Sequence, residues 1–413
     1  MSAELITIGT AGGADALRAY LAIPEAGHGP GIVLLHTAFG LGRHMREMAE
    51  LYAQEGYVVV CPDLYWRTAP GLDLSQHEAD RPPMLTLSQK LDDAATPAAI
   101  TRTVSALRDL SECTGKIGVV GFGLGGELAF RAAALSGIDC AIAYYGVGIE
   151  AALDLVPRLG CPMVLHFAEN DDYVPASAVA RVREAVAGHA DIQIHTYPGA
   201  GHGFNRPESG DFDKPAAGLA HSRSIALLRR TMGPHYDLER LWEAHTRYEF
   251  ETRDVAATMA TMVADPYVNH VPVMTGGVGA RDLARFYANH FIQKCPKDIR
   301  MVPISRTVGA DRVVDEMLTS FTHDVEIDWM LPGVPPTGRH VEVAIVAIVG
   351  FRGDKLYHEH IYWDQASVLV QIGLLDPKGL PVAGAEAAKK LLDETRPSNT
   401  LMRRWPESAP RGA

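Results

Sequence analysis

Cysteine, basic charge and long apolar runs are all scarce in this chain of 413 residues. Its five cysteines, Cys61, Cys113, Cys140, Cys161 and Cys295, are odd in number, widely spaced and without a CxxC pair. That excludes a disulfide framework or a zinc knuckle and points to reduced thiols in a cytoplasmic protein. The longest apolar run, residues 343–350, falls far short of the ~20 residues that span a bilayer. The first residues also lack the basic start and apolar stretch of a secretory signal. With 38 basic against 50 acidic side chains, the formal charge is −12, which argues against a broad nucleic-acid footprint or an anionic membrane surface. Neither internal repeats nor low-complexity segments occur. The expected partner is a small-molecule substrate, with neither nucleic acid nor membrane, and neither cofactor nor metal is expected.

What is present is an ordinary globular composition, 47% hydrophobic and 21% charged, at a length that suggests two or three domains. From residue 30 to about 205, β-branched runs alternate with helical patterns. Strands are expected at 31–35, 57–61, 117–121, 140–145, 163–167 and 192–197. Between them, Met45, Met48 and Tyr52 share one helical face, as do Ile100, Val104 and Leu107 behind a Thr96–Pro97 start. Continuous apolar strands separated by helices predict a doubly wound parallel α/β sheet covered on both faces. After a helix at 222–232 and a Gly-Pro-containing join at 232–236, the texture changes. Helices at 238–251 and 254–262 precede long alternating runs at 312–323, 341–351 and 355–364, which predicts an α+β domain. The expected division is 1–235, 236–395 and a loosely ordered tail, 396–413.

Residues 116–126 read Lys-Ile-Gly-Val-Val-Gly-Phe-Gly-Leu-Gly-Gly and lead into an Ala-rich helix. A strand, a tight turn and a helix of this form make a nucleophile elbow, whose central residue, here Gly123, projects from the top of the sheet. The N–H of Leu124 then faces a developing oxyanion at the helix N-terminus. A dinucleotide loop would sit after the first strand, and this one does not. Asp171, in Glu-Asn-Asp-Asp-Tyr-Val-Pro, and His202, in Gly-Ala-Gly-His-Gly-Phe, follow the next strands in the order elbow, acid, histidine. Either alone reads as a loop-satisfied polar residue; in this order they read as a dyad.

These motifs, with His-Thr-Ala-Phe-Gly at 36–40 and Cys-Pro-Asp-Leu-Tyr at 61–65, resemble the dienelactone hydrolase (carboxymethylenebutenolidase) family of the α/β-hydrolase superfamily over residues 5–230. The resemblance implies Asp171 and His202 as acid and base. It implies Arg206, and less directly Arg81, as contacts for a substrate carboxylate. The N–H groups of Ala38 and Leu124 would form the oxyanion hole, with His36 and Thr37 beside the substrate. Two departures stand out. The family's elbow cysteine is Gly123, and its glutamate after the strand-end histidine is Thr37. Three readings stay open for this domain. His202 with Asp171 activates water to hydrolyse a small, carboxylated ester or lactone; or His202 serves a lyase, isomerase or cyclisation reaction; or the domain is a degenerate binding scaffold.

Residues 238–392 resemble the SnoaL-like polyketide-cyclase group of the nuclear transport factor 2-like superfamily, on the strength of the helices-then-strands order, the Asp265–His270 segment and the stretch 360–374. This implies a cone-shaped α+β barrel and association into a homodimer or higher homo-oligomer through this domain. Strand alternation sets His358, His360, Tyr362 and Asp364 on one face and Glu359, Ile361 and Trp363 on the other. It likewise groups Glu316, Leu318, Ser320 and Thr322. The candidate pocket residues are Asp364, His360, His270 and Asp265, the last two taken as a turn. They offer a non-hydrolytic cyclase or isomerase as the alternative activity. His358 and His360 could pair on a metal, but a third ligand is not evident.

Overall fold

The computed structural model describes residues 1–9, 13, 16–74, 88–89, 91, 95–135 and 137–408. The chain divides into two compact units, Met1–His235 and Tyr236–Ala413. Among the described residues, no helix is long and apolar enough to cross a membrane.

The N-terminal unit is built on an eight-stranded sheet in the order β1-β2-β4-β3-β5-β6-β7-β8. Its strands are β1 (Ser2–Ile8), β2 (Leu17–Ile23), β3 (Gly29–Leu35), β4 (Val58–Pro62), β5 (Cys113–Phe122), β6 (Cys140–Tyr144), β7 (Met163–Asn170) and β8 (Ile192–Gly201). From β4 to β8 neighbours run parallel, whereas β1 and β2 form an antiparallel edge that the apolar-run pattern did not flag. Every residue of β3, β4 and β6 is buried, so both faces of the sheet are covered, as parallel strands require. Among the described residues, the α-helices of this unit are α1 (Arg43–Gln54), α2 (Ala95–Asp109), α3 (Leu124–Ala132), α4 (Ala176–Ala185) and α5 (Lys214–Met232). Thr96, expected to start α2, lies inside it and is buried. Helix α5 begins well before residue 222, because Asp213 caps it, accepting from Ala216 N at 3.0 Å, and Pro215 suits its first turn.

α1 and α5 are tied by a buried ion pair. Glu55, one residue past the end of α1, takes Arg229 Nη2 at 2.7 Å and His221 Nε2 at 3.2 Å. Arg229 also donates to the Pro234 carbonyl, anchoring the chain as it leaves the unit. On α1, His44 packs edge-on to Phe122 with its Nε2 buried and accepting or donating no hydrogen bond among the described residues. Burial, reinforced by the nearby Arg206 charge, lowers its pKa to about 4.

The C-terminal unit has helices α6 (Leu238–Phe250), α7 (Val255–Ala260), α8 (Ala280–Phe286), α9 (Gln365–Gln371) and α10 (Ala385–Leu392). Its strands are β9 (Met262–His270), β10 (Thr275–Val278), β11 (Arg300–Val308), β12 (Arg312–Thr322), β13 (His340–Arg352) and β14 (Lys355–Trp363), in the order β10-β9-β14-β13-β12-β11. All pairs are antiparallel except β9 with β14. α7 stops two residues before Met262, and Asp265 to His270 lie on β9, so the expected turn is a strand. One sheet face carries Val313, Met317, Phe321, Val343, Ile345, Ala347, Ile361 and Trp363 into a core shared with Leu238 and Trp242 of α6. Trp242 Nε1 donates to Asp315 at 2.8 Å, and Arg306 joins that carboxylate to Glu239 and Glu243 of α6.

Two stability outcomes follow from the N-terminal packing. Glu55→Ala leaves Arg229 buried without its carboxylate and should cost about 3–5 kcal/mol in urea unfolding; a loss below about 1 kcal/mol would mean the pair carries little. The unfolded chain protonates His44 near its ordinary value, 6.5, whereas the folded chain resists until about 4, so its stability contribution is lost as pH falls across that window. Between about pH 7 and about pH 5 that loss is about 2 kcal/mol. His44→Leu should escape it, and equal acid sensitivity of variant and parent in urea melts would disprove the assignment.

Candidate functional site

The carboxyl ends of β3, β5, β7 and β8 bring the expected residues of the N-terminal unit together. Gly123 is the turn between β5 and α3, at φ 54 and ψ −112, a conformation in which a side chain is strained and glycine is not. The helix behind it sits close to the sheet. A Cβ on Gly125 would strike the Leu35 carbonyl, and one on Gly126 would come within 2.8 Å of the Tyr144 carbonyl. The elbow geometry is therefore present without its nucleophile. A Cβ built on Gly123 would stand 3.7 Å from His202 Nε2 and 3.9 Å from the Tyr145 ring, so the turn opens directly onto the imidazole.

His202, on the loop after β8, places Nδ1 at 2.9 and 3.0 Å from the two oxygens of Asp171. The Asp171 side chain is fully buried, and its Oδ1 also accepts from the N–H groups of Tyr173 (2.8 Å) and Val174 (3.0 Å). With Nδ1–H donated to a carboxylate fixed this way, the Nε2 lone pair is left facing Gly123. The ring is held between two tyrosines, Tyr145 and Tyr173, each with its centroid 4.7 Å away. Tyr145 itself has φ 39 and donates its hydroxyl to Asn205 Oδ1 at 2.6 Å. Burial holds that phenol far above its ordinary range, so it acts as a neutral wall.

A cavity of about 150 Å³ lies over these groups, lined by Thr37, Ala38, Phe39, Leu124 and Val147 as well as Gly123, Tyr173, His202, Arg206 and Asp211. Leu124 opens α3, and its N–H has no carbonyl a turn earlier to bond, whereas Gly126 and Glu127 donate to the Gly123 carbonyl. Arg206 is buried beside the cavity with its guanidinium 5.5 Å from the Phe39 centroid. Thr37 turns its hydroxyl to the Phe39 N–H at 3.3 Å, which steadies the loop carrying Ala38. His36 does not reach the cavity. It is wholly buried, with Nε2 accepting from Leu64 N at 3.0 Å and Nδ1 at 2.6 Å from the Thr37 carbonyl, and burial lowers its pKa. Its role is to lock the end of β3 to the loop after β4. Arg81 lies outside the described residues. Tyr145, Tyr173 and Asp211 were not anticipated; Tyr173, two residues beyond Asp171, was the one with a sequence signal.

In the C-terminal unit the strand phase is opposite to the one expected. Glu359, Ile361 and the β12 residues Met317 and Thr319 line a cavity of about 50 Å³ walled by Trp242, Phe250, Tyr287, Phe291 and Trp329. His360 is on the far face, between Tyr267 and His358. Asp364 is exposed and caps α9, accepting from Ser367 N at 3.1 Å. Asp265 is exposed on β9. Of the four candidates only His270 reaches the cavity, and burial lowers its pKa to about 4. Both faces of β14 carry ionisable groups and aromatics, so alternation alone could not orient it. The polar cluster that does meet the cavity wall is His245, Glu249 and Glu359. His245 Nε2 lies 3.1 Å from an oxygen of each carboxylate. Burial opposes the imidazolium, but the two carboxylates outweigh it and raise His245 to about 10. The sequence signal was the i, i+4 pair His245 and Glu249 on the face of α6 that carries Trp242.

Comparison with known proteins places both units. The dienelactone hydrolase family model matches residues 17–232, and a SnoaL-like domain model matches residues 242–359. Carboxymethylenebutenolidase 1 of Cupriavidus pinatubonensis is 36% identical over 217 residues, covering 52% of this chain and 92% of the relative. Carboxymethylenebutenolidase of Pseudomonas putida is 37% identical over 206 residues, covering 50% and 87%. A candidate dienelactone hydrolase from Klebsiella pneumoniae superposes with a TM-score of 0.50 at 25% identity, over 55% of this chain and 98% of that structure. With its elbow, acid and histidine in family order and a family match across more than half its length, the chain belongs to the dienelactone hydrolase family.

Proposed function

We propose that the N-terminal unit hydrolyses a small ester or lactone that bears a carboxylate, with water in place of a protein nucleophile. The observation that carries this reading is the His202 Nε2 facing the bare Gly123 turn, with Asp171 fixing the other ring nitrogen. A water seated over Gly123 is within reach of Nε2. His202 takes its proton as the oxygen attacks the substrate carbonyl, and the N–H groups of Ala38 and Leu124 receive the developing oxyanion. His202 then returns the proton to the leaving alkoxide or enolate, so that ester plus water yields acid plus alcohol or enol. Arg206, buried in the cavity lining, is the cation that meets the substrate carboxylate in this reading. The names of the relatives support lactones as the substrate class. Loss of the covalent route lowers the rate, yet an oxyanion hole with binding retains ~10³–10⁴-fold over water when triad members are missing.

Hydrolysis of a dienelactone or carboxylated aryl ester should fall by about 10²–10⁴-fold in His202→Ala, the range for a lost general base. Glu359→Gln, in the other unit, should leave it unchanged. If Glu359→Gln abolishes turnover and His202→Ala does not, the activity belongs to the C-terminal cavity and the proposal fails.

Restoring the thiol gives a second check. Position 123 has room for a Cβ beside His202, at a backbone strain of about 1–3 kcal/mol. Gly123→Cys with Thr37→Glu should show a burst of alcohol release and a trapped acyl-enzyme by mass spectrometry. A folded double variant with neither would show that the pocket no longer seats a family substrate.

A further inference from the structure

The His245, Glu249 and Glu359 cluster lies outside the hydrolytic site and has a charge problem that a proton solves only in part. Thr261 Oγ1 is 2.6 Å from both the Thr258 carbonyl and His245 Nδ1. Since the carbonyl can only accept, the hydroxyl proton goes to it, and Nδ1 must donate to Thr261. Nε2 is then the nitrogen that faces the two carboxylates. If it carries a hydrogen, that hydrogen is directed at Glu249, with which it makes the hydrogen bond of 3.1 Å. Glu359 Oε1 sits equally close but accepts no hydrogen bond among the described residues, although the residue is only 3% exposed. One N–H aimed at Glu249 serves Glu359 poorly, and one imidazolium charge balances only one of the two carboxylates. A divalent cation centred among the three donors can serve both.

We propose that His245, Glu249 and Glu359 form a binding site for one first-row divalent metal ion, with zinc the expected occupant. Their donor atoms all lie within 4.8 Å of one another. Nε2 lies 3.1 Å from an oxygen of each glutamate, near the separation that two donors keep when each is about 2.0–2.2 Å from one ion, and a small side-chain adjustment brings the third pair into range. A neutral imidazole and two carboxylates supply the two negative charges that a divalent ion balances. One nitrogen with two oxygens is a borderline set that suits zinc better than the harder magnesium or calcium. The Nδ1–H donated to Thr261 is the outer contact that a metal-bound histidine needs to fix its tautomer. His245 and Glu249 are presented by one face of α6, and Glu359 by β14, so the site is preformed by a helix and a strand and not by a loop. Both glutamates also border the aromatic-walled cavity. An ion held by them would lie beside that cavity.

The test uses the full chain, stripped by chelator and titrated with zinc alone against a chromogenic competitor, with cobalt as a spectroscopic probe. One zinc per chain beyond any weak surface binding is expected, with a rise in Tm and visible d–d absorption for cobalt. Glu359→Gln should bind at least about 100-fold more weakly, and Thr261→Val about 10-fold more weakly, the latter by loss of the outer hydrogen bond. Circular dichroism and melting of the metal-free variants establish that they are folded. Glu249→Gln provides a second ligand variant should Glu359→Gln unfold. Zinc uptake of equal affinity and stoichiometry in parent and folded variants would overturn the site, as would no uptake by the parent.

Discussion

The N-terminal unit depends on how closely α3 can approach the carboxyl ends of β3 and β6. Gly125 and Gly126 provide that approach, since any side chain there would occupy the carbonyl oxygens of Leu35 or Tyr144. Once the helix sits this low, the connection from β5 has one residue in which to turn, and Gly123 takes the backbone angles that result. The groups of the candidate site are then measured from that turn. Leu124 begins α3 beside it, Ala38 arrives on the segment after β3, and the loops after β7 and β8 bring Asp171 and His202 to its open side. A glycine at the elbow is compatible with this frame, because it accepts the turn with less strain than any other residue.

The two units handle buried charge in different ways. In the first, each ion is assigned its own partners: Asp171 has two backbone N–H donors and one imidazole, and Glu55 has one guanidinium and one imidazole. In the second, Asp315 is fully engaged by Trp242 and Arg306, whereas the inner cluster has two carboxylates and a single imidazole. Two carboxylates buried with one imidazole between them are costly to take out of water. The surrounding aromatic wall strengthens every electrostatic interaction by excluding water.

Much of this was legible in the chain. The doubly wound sheet followed from continuous β-branched runs, and the order elbow, acid, histidine identified the dyad before any geometry was known. His36 was misread because a histidine at a strand end beside the oxyanion loop has the same sequence appearance whether it binds substrate or, as here, takes the Leu64 amide. The C-terminal cavity was less legible for a different reason. Alternation divides β14 correctly into two faces but carries no sign, and the face with more polar residues turned out to be the outer one. Glu359 was passed over because it shares the core face of β14 with Ile361 and Trp363, where a carboxylate is least expected. Its partners come from α6, more than a hundred residues earlier, and only the fold joins them.

Gly123 also determines how this protein meets reactive chemicals. A thiol at an elbow is the atom that alkylating agents, oxidants and heavy metals find first. Here four of the five cysteines are buried in the core, and burial pushes Cys140, Cys161 and Cys295 up to about 12 and Cys61 higher still. At neutral pH these sulfurs stay protonated and inert. A thiolate at an elbow is open to oxidation and alkylation, whereas the elbow of this chain carries no sulfur to lose.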